Sequence, residues 1–396
     1  MRFWGITGTN GKTTTAWIFA AFVDAGNKAV RAPERVSGAE EADVRAPRCG
    51  YITTVEAFDG ARRFYTGYTT PPLAQLREIY ASMEANGCTD CVMEVSSHAI
   101  HQDRVGFGSV TTFSGGAFTN LTEDHLDYHK TMEEYFRVKR SFAERIAAGR
   151  PGAPYVVCLD GGCGREMLDA VSKLDLKVIP VTVGTRGAGG MAPEYDLSGL
   201  RLVGDYNKSN VLVAAALAEA AGVPHGVIQA AIPTLEPRWG RLEYIANPNV
   251  KAKAYVDFAH TPDGLEKVLS AARGFTPRGG SLWVVFGAGG DRDPMKRPLM
   301  GAACARLADR LVVTSDNPRS EDPMKIIGQV VAGAEGVKEL HVEPDRRKAI
   351  EFALANADAD DIVIIAGKGH ETTQEIKGVK HPFDDREVVR GFAAMG

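Results

Sequence analysis

The sequence predicts an α/β fold with two domains, each built on a mostly parallel sheet, and three observations support this prediction. Short runs rich in β-branched residues alternate with amphipathic stretches, as expected of sheets covered by helices on both faces. The chain has 396 residues, enough for more than one hydrophobic core. A glycine-rich turn joins the first predicted strand to the first predicted helix within the opening fifteen residues.

The predicted strands are short apolar runs spread along the whole chain. They cover residues 2–7, 91–95, 111–118, 154–159, 177–183, 254–258, 281–286, 310–314 and 361–366. The first helix is predicted over residues 13–25, where apolar side chains share one face and Gly26 can cap the end. Residues 28–50 are polar, charged and proline-bearing, so we expect them to form a surface excursion.

The turn after the first strand has the composition of a phosphate-binding loop. Backbone N–H groups and the positive end of the following helix would face a phosphate chain, with Lys12 reaching the outer phosphates and Thr13 holding Mg²⁺. The usual spacing fails at one position, because Ile6 stands where the first glycine belongs. A glycine turn without a ligand is the alternative, but we predict that the chain binds a nucleoside triphosphate. The proposed loop residues are Gly8, Thr9, Asn10, Gly11, Lys12, Thr13 and Thr14.

Breaks in the strand–helix pattern predict where the two domains meet. Pro233, Pro237 and Gly240 interrupt the alternation. Residues 1–237 are therefore expected to form a P-loop ATPase domain, and residues 238–396 a smaller Rossmann-like α/β domain. We expect a hinge where the interruption lies, so that domain closure assembles the site.

Composition and charge exclude several classes of protein. The 46 basic and 50 acidic residues nearly balance, so charge gives no reason to expect nucleic acid or an anionic membrane as a partner. No apolar run is long enough for membrane insertion. A signal peptide is not expected, because the first strand begins at the N-terminus. The six scattered cysteines predict a reducing, cytoplasmic location. A metal or redox role for Cys88 and Cys91 is disfavoured, because no second pair follows.

Several short motifs occur in a fixed order along the chain. They lie at residues 8–15, 69–71, 94–98, 119–129, 207–210, 240–243, 257–263, 289–293, 316–319, 367–371 and 384–387. In these motifs the chain resembles the Mur ligase family, ATP-dependent enzymes that form amide bonds in peptidoglycan synthesis. Within the family it is most similar to the members that add diaminopimelate to a muramoyl-dipeptide.

The resemblance implies a phosphorylation site that activates a carboxylate. ATP would supply a phosphoryl group to give an acyl phosphate, which an amine then attacks, and Mg²⁺ would offset the phosphate charge. Glu94 ends an apolar strand at the sheet edge where ligands collect, and is the expected Mg²⁺ ligand beside Thr13. A solvated rim carboxylate is the alternative. His125 is implied as a partner of a second Mg²⁺. Lys139 matches the lysine that the family carbamylates, although most helix lysines are simply solvated.

Residues of both predicted domains are expected to contact the rest of the nucleotide. Asn207 and Asn210 are three residues apart on one helical face, and their amides can match a purine edge. Helix capping by Asn207 is the alternative. Arg241 would clamp the phosphates when the second domain closes. Asp257 would take a ribose hydroxyl, and His260 would lie near the phosphates.

The resemblance also implies where the acceptor binds. Arg104 is the clearest candidate, because its guanidinium could pair with the D-glutamate carboxylate. The other candidates contribute hydroxyls or an amide from nearby loops. The acceptor set is Thr69, Thr70, Ser96, Gln102 and Arg104.

The motif at residues 316–319 points to the amine substrate. It resembles the version found in diaminopimelate-adding members, and its Arg319 would pair with the carboxylate that diaminopimelate has and lysine lacks. Glu371 would face the distal ammonium. Alternatively, Arg319 only neutralises Glu321 and Asp322. The proposed pocket consists of Arg292, Asn317, Arg319, Gly367 and Glu371.

One departure concerns the start of the chain. Members of this type carry an N-terminal domain that binds the UDP portion of the acceptor, whereas here the phosphate loop begins at residue 5. A wrong start, a separate UDP-binding chain, or an acceptor without UDP would each explain this, and we expect weak affinity for a UDP-linked acceptor. Other possible functions are an amide ligase with another acceptor or amino acid, a nucleotide-binding regulatory subunit without turnover, and a simple kinase.

Overall fold

The chain divides between Leu235 and Glu236 into two units, each with its own sheet and core. The sequence prediction placed this division two residues later. The computed structural model describes residues 1–30, 48–183 and 194–393. Among these residues, no helix is both long and apolar enough to cross a membrane.

The first unit is built around a mostly parallel sheet. Its strands are β1 (Arg2–Thr7), β2 (Arg48–Ile52), β3 (Ala57–Phe58), β4 (Arg63–Phe64), β5 (Cys88–Glu94), β6 (Phe113–Phe118), β7 (Ala153–Cys158) and β8 (Leu176–Val181). The strand order is β4-β3-β2-β5-β1-β6-β7-β8. The pairs β2–β3 and β3–β4 are antiparallel and the others are parallel. The central strand β1 therefore has a parallel neighbour on each side.

Helices cover both faces of this sheet. They are α1 (Lys12–Val30), α2 (Leu73–Ala85), α3 (Ser97–His101), α4 (Leu126–His129), α5 (Met132–Gly149), α6 (Gly164–Val171), α7 (Asp205–Ala220) and α8 (His225–Ala231), followed by a short 3-10 helix (Ile232–Thr234). The helices α2, α5 and α6 bury apolar side chains against one face. The helices α1 and α7 pack together and contact the strands from the other side. This double cover explains why the central strands are almost continuously apolar.

The second unit repeats the architecture on a smaller scale. Its strands are β9 (Glu243–Ile245), β10 (Lys253–Asp257), β11 (Leu282–Phe286), β12 (Arg310–Val313), β13 (Glu339–Val342) and β14 (Ile362–Ala366), in the order β13-β12-β11-β14-β10-β9. Only the β9–β10 pair is antiparallel among these described strands. A separate hairpin consists of β15 (Thr373–Ile376) and β16 (Val379–Pro382).

Two groups of helices sandwich the second sheet. They are α9 (Pro262–Phe275), α10 (Lys296–Leu307), α11 (Pro323–Val331), α12 (Arg346–Asn356) and α13 (Asp385–Arg390). The first three bury their apolar side chains in one core and the last two in another, on opposite faces of the sheet. The loops after the parallel strands are thus left at one edge.

The α/β class and the predicted strands agree with the structure, but two local predictions are wrong. Helix α1 does not end at Gly26 and continues to Val30. A Cβ at Gly26 would lie 3.0 Å from Val223 Cγ1, so this glycine allows close packing inside the helix rather than a cap. Residues 48–50 are not part of a surface excursion, because they belong to β2 and pair with β5. Residues 28–30 of that predicted excursion belong to α1, and residues 31–47 lie outside the described residues.

A buried ion pair holds the two helices of one face to the second sheet. Arg346 Nε donates to Asp385 Oδ1 at 2.8 Å and Arg346 Nη2 donates to Asp385 Oδ2 at 2.7 Å. Both side chains have no exposure. The same guanidinium donates to the carbonyl oxygens of Ala366 and Ser315, at 2.8 and 3.3 Å. It therefore fixes the backbone at the end of β14 and just after β12, two strands whose following loops carry predicted site residues.

We expect Arg346→Met to lower the free energy of unfolding by about 3–5 kcal/mol, because Asp385 would remain buried without its partner. Chemical denaturation of the full chain, followed by far-UV circular dichroism, measures the change. The double variant Arg346→Met/Asp385→Leu should recover most of the loss, because no buried charge is left unpaired.

Arg347→Met is the matched control, since Arg347 is the next residue of the same helix and is exposed. Its free energy of unfolding should stay within about 0.5 kcal/mol of the parent value. Equal losses in Arg346→Met and Arg347→Met would contradict the assigned importance of the buried pair.

Candidate active site

The glycine-rich turn after β1 is held in place by the segment after β6. Thr9 N donates to the carbonyl oxygen of Asn120 and Asn10 N donates to Asn120 Oδ1, each at 2.9 Å. Thr119 Oγ1 donates to the carbonyl oxygen of Asn10 at 2.7 Å. Gly8 has a φ of 148°, and a Cβ there would lie 1.9 Å from Thr119 Oγ1. The loop therefore needs glycine at residue 8, and Asn120 is a supporting residue that the sequence analysis did not select, although it lies in a quoted motif.

Two lysines converge on one carbonyl of this loop. Lys12 Nζ donates to the carbonyl oxygens of Gly8 and Thr9 at 3.0 and 2.9 Å. Lys139 Nζ donates to the same Gly8 oxygen at 2.8 Å. Lys139 is 1% exposed on α5, so it is not a solvated helix lysine. Burial, with the nearby charge of Lys12, lowers the pKa of Lys139 well below its usual value, and this favours the neutral amine.

Glu94, at the end of β5, is buried beside the start of α1. Its Oε1 accepts from Thr13 Oγ1 at 2.7 Å and from Thr54 N at 2.8 Å, and its Oε2 accepts from Thr54 Oγ1 at 3.1 Å. The side chain belongs to a residue that is 1% exposed, which rules out a solvated rim carboxylate. Thr54 was not predicted, because nothing in the order of residues after β2 marks it as a partner of Glu94.

His125 lies in a cluster of aromatic side chains close to the lysines. It adopts a left-handed backbone, with a φ of 56°, and its Nε2 lies 3.5 Å from Asp124 Oδ2. Its ring centroid is 5.0 Å from that of His98. Although 44% of the side chain is exposed, loss of hydration lowers the pKa of His125 to about 4, while Asp124 acts in the opposite direction. The imidazole is therefore neutral at neutral pH, the form that binds metals.

The hard oxygen ligands present fit a magnesium ion that also binds phosphates. The described residues contain no group of three or more His, Cys, Asp or Glu side chains arranged around a metal position. In nucleotide sites, however, Mg²⁺ commonly takes one or two carboxylates, several waters and the substrate's own phosphates. The Glu94 carboxylate and the Thr13 hydroxyl, which lie in contact, supply that kind of ligand.

Asn207 and Asn210 lie on α7 against the phosphate loop. Asn210 Oδ1 accepts from Thr15 Oγ1 at 3.3 Å, and Asn210 Nδ2 donates to Asn207 Oδ1 at 3.2 Å. A Cβ at Gly11 would lie 2.3 Å from Asn210 Oδ1. Asn207 Nδ2 donates to the carbonyl oxygen of Val203, just before the helix, at 2.7 Å. The structure therefore brings the pair to the loop, and Asn207 is not the helix cap, because Gly204 occupies that position without a side-chain cap.

Three of the predicted acceptor residues surround the backbone near Glu94. Thr70 Oγ1 donates to the carbonyl oxygen of Glu94 at 2.8 Å and accepts from Ser96 N at 3.0 Å. Thr69 Oγ1 accepts from Thr54 Oγ1 at 3.0 Å. These hydroxyls already have protein partners, and they join the loop after β5 to the carboxylate of Glu94.

The other two acceptor candidates form an exposed pair. Arg104 Nε donates to Gln102 Oε1 at 2.8 Å, and Gln102 Nε2 donates to Tyr128 Oη at 3.2 Å. The guanidinium also lies 5.8 Å from the ring centroid of Tyr68. The structure thus brings Arg104 and Gln102 together and adds Tyr128, which the sequence analysis did not select although it also lies in a quoted motif.

In the second unit, Asp257 fixes the backbone around the end of β10. Its Oδ2 accepts from Leu242 N and its Oδ1 accepts from Ala259 N, each at 2.7 Å. Burial raises the pKa of Asp257, while Arg241 and these two N–H groups oppose the rise. The carboxylate predicted to take a ribose hydroxyl therefore also anchors the segment that carries Arg241.

The ring of Phe258 is a platform for three basic side chains. The guanidinium carbon of Arg241 lies 4.7 Å from the ring centroid. The rings of His260 and His370 lie 4.6 and 4.8 Å from it. His260 Nδ1 donates to the carbonyl oxygen of Phe258 at 2.7 Å. Burial, with the charge of Arg241 adding to the effect, lowers the pKa of His370 to about 3, so its imidazole is neutral.

Asn317 and Glu371, both predicted to bind the amine, are in direct contact. Asn317 Nδ2 donates to Glu371 Oε2 at 2.9 Å. Lys368 Nζ reaches the same Glu371 oxygen at 2.8 Å. Gly367 has a φ of 115°, and a Cβ there would lie 2.7 Å from Asp316 Oδ2. Lys368 was not predicted as a site residue, although it lies within the motif at residues 367–371, and the structure shows that it has no exposure.

Arg319 is held at the edge of this group. Its Nη1 donates to the carbonyl oxygen of Gly290 at 2.6 Å, and its Nε lies 3.7 Å from Glu375 Oε2. It does not neutralise Glu321, which instead accepts from Arg297 Nη2 at 2.7 Å. Neutralisation of Glu321, one part of the alternative explanation for Arg319, is therefore not what Arg319 does.

Arg292 lies beside Arg319 across a glycine. A Cβ at Gly289 would lie 3.0 Å from Arg319 Nη1 and 3.7 Å from Arg292 Cγ. Arg292 is exposed, and its Nη1 donates to the carbonyl oxygen of Asp291 at 3.1 Å. The glycine therefore leaves room for two cationic side chains from neighbouring loops, Arg292 after β11 and Arg319 after β12.

Cys88 and Cys91 are buried free thiols on β5. Burial raises the pKa of Cys88 to about 11 and that of Cys91 further above its usual value. Both are therefore protonated at neutral pH, which is the unreactive form of a thiol.

Comparison with known families accounts for both units. The sequence profile of the Mur ligase middle domain matches residues 6–218, and that of the Mur ligase glutamate ligase domain matches residues 240–369. The UDP-N-acetylmuramoyl-L-alanyl-D-glutamate–2,6-diaminopimelate ligase of Neisseria meningitidis serogroup A is 37% identical, over 98% of this chain and 77% of its own length. The enzyme of the same name from Synechococcus elongatus is 38% identical, over 98% and 76%.

Solved structures show the same relationship. A structure of a UDP-N-acetylmuramoyl-L-alanyl-D-glutamate–2,6-diaminopimelate ligase matches 98% of this chain and 77% of its own, with 31% identity and a TM-score of 0.60. A Mycobacterium tuberculosis folylpolyglutamate synthase matches 92% and 88%, with 20% identity and a TM-score of 0.63, which shows a shared fold. From the matched profiles and these relatives, the chain belongs to the Mur ligase family.

Proposed function

We propose that this chain joins 2,6-diaminopimelate to UDP-N-acetylmuramoyl-L-alanyl-D-glutamate, using ATP to activate the acceptor carboxylate as an acyl phosphate. The observation that carries the proposal is that a cationic side chain, Arg319, and an anionic one, Glu371, belong to one hydrogen-bonded group in the second unit. Arg319 and Glu371 are linked through Glu375 and Asn317: Arg319 Nε lies 3.7 Å from Glu375 Oε2, and Asn317 accepts from Glu375 N at 2.9 Å and donates to Glu371. The far end of diaminopimelate carries both a carboxylate and an ammonium, and such a pocket complements both. The 37% identity to ligases of that name supports the assignment.

The phosphate loop supplies the charge that phosphoryl transfer needs. The N–H groups at the start of α1 and the ammonium of Lys12 would face the triphosphate, which replaces the carbonyl partners of Lys12. Thr13, Glu94, His125 and carbamylated Lys139 would hold Mg²⁺, which when bound offsets the negative charge of the transferred group. We assign Asn207, Asn210, Arg241, Asp257 and His260 to the rest of the nucleotide.

The acceptor would bind next to the same carboxylate. Thr69, Thr70 and Ser96 lie on the backbone that joins Glu94 to α3, and Arg104 and Gln102 follow that helix. Arg104 would pair with the carboxylate of the D-glutamate residue. The amine of diaminopimelate then attacks the acyl phosphate and inorganic phosphate leaves.

The reaction itself is tested by its stoichiometry. Release of ADP and phosphate should require both the acceptor and diaminopimelate, and mass spectrometry should find their amide product. Product from another acceptor alone would favour a different amide ligase. A stable phosphorylated product without amine would favour a kinase, and no turnover with any substrate would favour a regulatory subunit.

Gly8→Ala should weaken binding of a non-hydrolysable ATP analogue by at least roughly tenfold, because a side chain at this φ is strained and its Cβ would collide with Thr119. Isothermal titration calorimetry measures the affinity. Gly149→Ala is the control, since no atom lies within 4 Å of the added Cβ. Binding by Gly8→Ala within twofold of the parent would contradict the assigned loop.

Carbamylation of Lys139 should make turnover depend on carbon dioxide, because the neutral amine adds CO₂ and releases a proton to become an anionic carbamate. Removing CO₂ and bicarbonate should lower kcat, and Lys139→Arg should abolish turnover. With ¹³C-bicarbonate, a carbamate signal should appear by NMR in the parent and in Lys173→Arg, which alters an exposed lysine, but not in Lys139→Arg. Full activity without CO₂, and no carbamate signal, would refute the modification.

Arg319→Ala should remove most of the preference for diaminopimelate over lysine. We expect the parent to discriminate by roughly 10⁴, because a site built to pair with a carboxylate is left unpaired when lysine binds. The ratio of kcat/KM for the two amines measures the preference. Arg306→Ala should leave it unchanged, since Arg306 is exposed and pairs with Glu266. An unaltered ratio in Arg319→Ala would disprove the assigned role.

A further inference from the structure

Lys368 is a fully buried ammonium for which the proposed function gives no role. It lies in the loop after β14, and the residue has no exposure. Its Nζ lies 2.8 Å from Glu371 Oε2, 3.1 Å from Asn317 Oδ1 and 3.9 Å from Asp316 Oδ1. Burying a charge costs several kcal/mol unless its partners compensate. All three partners are side chains of the loops after β12 and β14, which carry four of the five residues of the proposed amine pocket.

Lys368 and the backbone N–H of Glu375 together fix the orientation of the Asn317 amide. Asn317 Oδ1 accepts from Lys368 Nζ and also from Glu375 N at 2.9 Å. Because both groups are donors, the oxygen must face them and the amide nitrogen must face the other way. That nitrogen donates to Glu371 Oε2 at 2.9 Å. The amide nitrogen of Asn317 is therefore held in the orientation that donates to Glu371.

The same contacts leave one oxygen of Glu371 for a ligand. Oε2 accepts hydrogen bonds from both Lys368 Nζ and Asn317 Nδ2. Within the described residues no donor is hydrogen-bonded to Oε1, and the Glu371 side chain is 33% exposed. Oε1 is thus the atom of this carboxylate that can meet a ligand ammonium.

The formal charges of this group also favour a ligand ammonium. Asp316 and Glu371 contribute two negative charges around the single positive charge of Lys368. The nearby Arg346 is already paired with Asp385. The group therefore keeps one negative charge in excess, which matches one ligand ammonium.

We infer that Lys368 is a positioning residue for the amine substrate: it holds Asn317 and one oxygen of Glu371, so that the other oxygen is presented to a single ammonium group. This inference rests on the proposed function for the identity of the amine. Without Lys368, Glu371 would lose its strongest partner and face Asp316 with no intervening cation. The substrate ammonium would then meet a carboxylate that is neither oriented nor balanced in charge.

Lys368→Met keeps the length of the side chain and removes its charge. We expect KM for diaminopimelate to rise roughly 10- to 100-fold, as for loss of a hydrogen bond to a charged group. The kcat and the KM for ATP should change less than about threefold, because neither depends on the orientation of Glu371. Lys380→Met is the matched control, since Lys380 lies on the exposed strand β16 of the same unit.

A double-variant cycle separates positioning from general structural damage. If Lys368 acts through Glu371, Lys368→Met should raise KM for diaminopimelate little further in a Glu371→Gln background. Independent effects of the two substitutions, or equal changes in kcat and in KM for ATP, would overturn the inference.

A crystal structure of Lys368→Met tests the inference without any substrate. The carboxylate of Glu371 should leave Asn317 Nδ2, and an unchanged contact would overturn the positioning role. If the parent makes no product with diaminopimelate, the proposed function fails while this structural test still decides the role of Lys368.

Discussion

The parallel pairing of β1 with β5 and β6 is the constraint on which the first unit depends. Ile6 pairs with Glu94 on one side, and Thr7 pairs with Phe118 on the other. All three strands therefore end at the same level. The turn at Gly8, the carboxylate of Glu94 and the segment after β6 are brought together by this register alone. A slip of one residue would point Glu94 to the opposite face and separate it from α1.

The second unit uses the same constraint with different chemistry. Asp257 pairs with Ala366, and Phe286 pairs with Val313, so four parallel strands again end together. Arg346 reinforces this edge, because its guanidinium donates to backbone carbonyls at the end of β14 and just after β12. Only the residues in the loops decide what such an edge can bind. The same architecture can therefore hold phosphate in one unit and an amino acid in the other.

Structural features that depend on residues adjacent in the chain can be predicted from the sequence. The run Leu282–Phe286 is buried at every residue and reads directly as a central strand. The edge strand Val379–Pro382 is exposed at every residue, so its composition gives no apolar signal. Contacts between distant residues are harder still. Lys368 meets a partner 51 residues away, and no local pattern predicts that a lysine between two glycines is fully buried.

Buried charge accounts for the opposite signs of the ligands proposed for the two sites. In the first unit, Lys12 and Lys139 both donate to the carbonyl of Gly8, and burial with the charge of Lys12 lowers the pKa of Lys139, which favours its neutral form. The ammonium of Lys12 is then a positive charge that a polyphosphate would balance. In the second unit, two carboxylates share the ammonium of Lys368, which leaves an excess of negative charge. Each site is thus incomplete in charge, and the sign of what it lacks is the sign of the group it is proposed to bind.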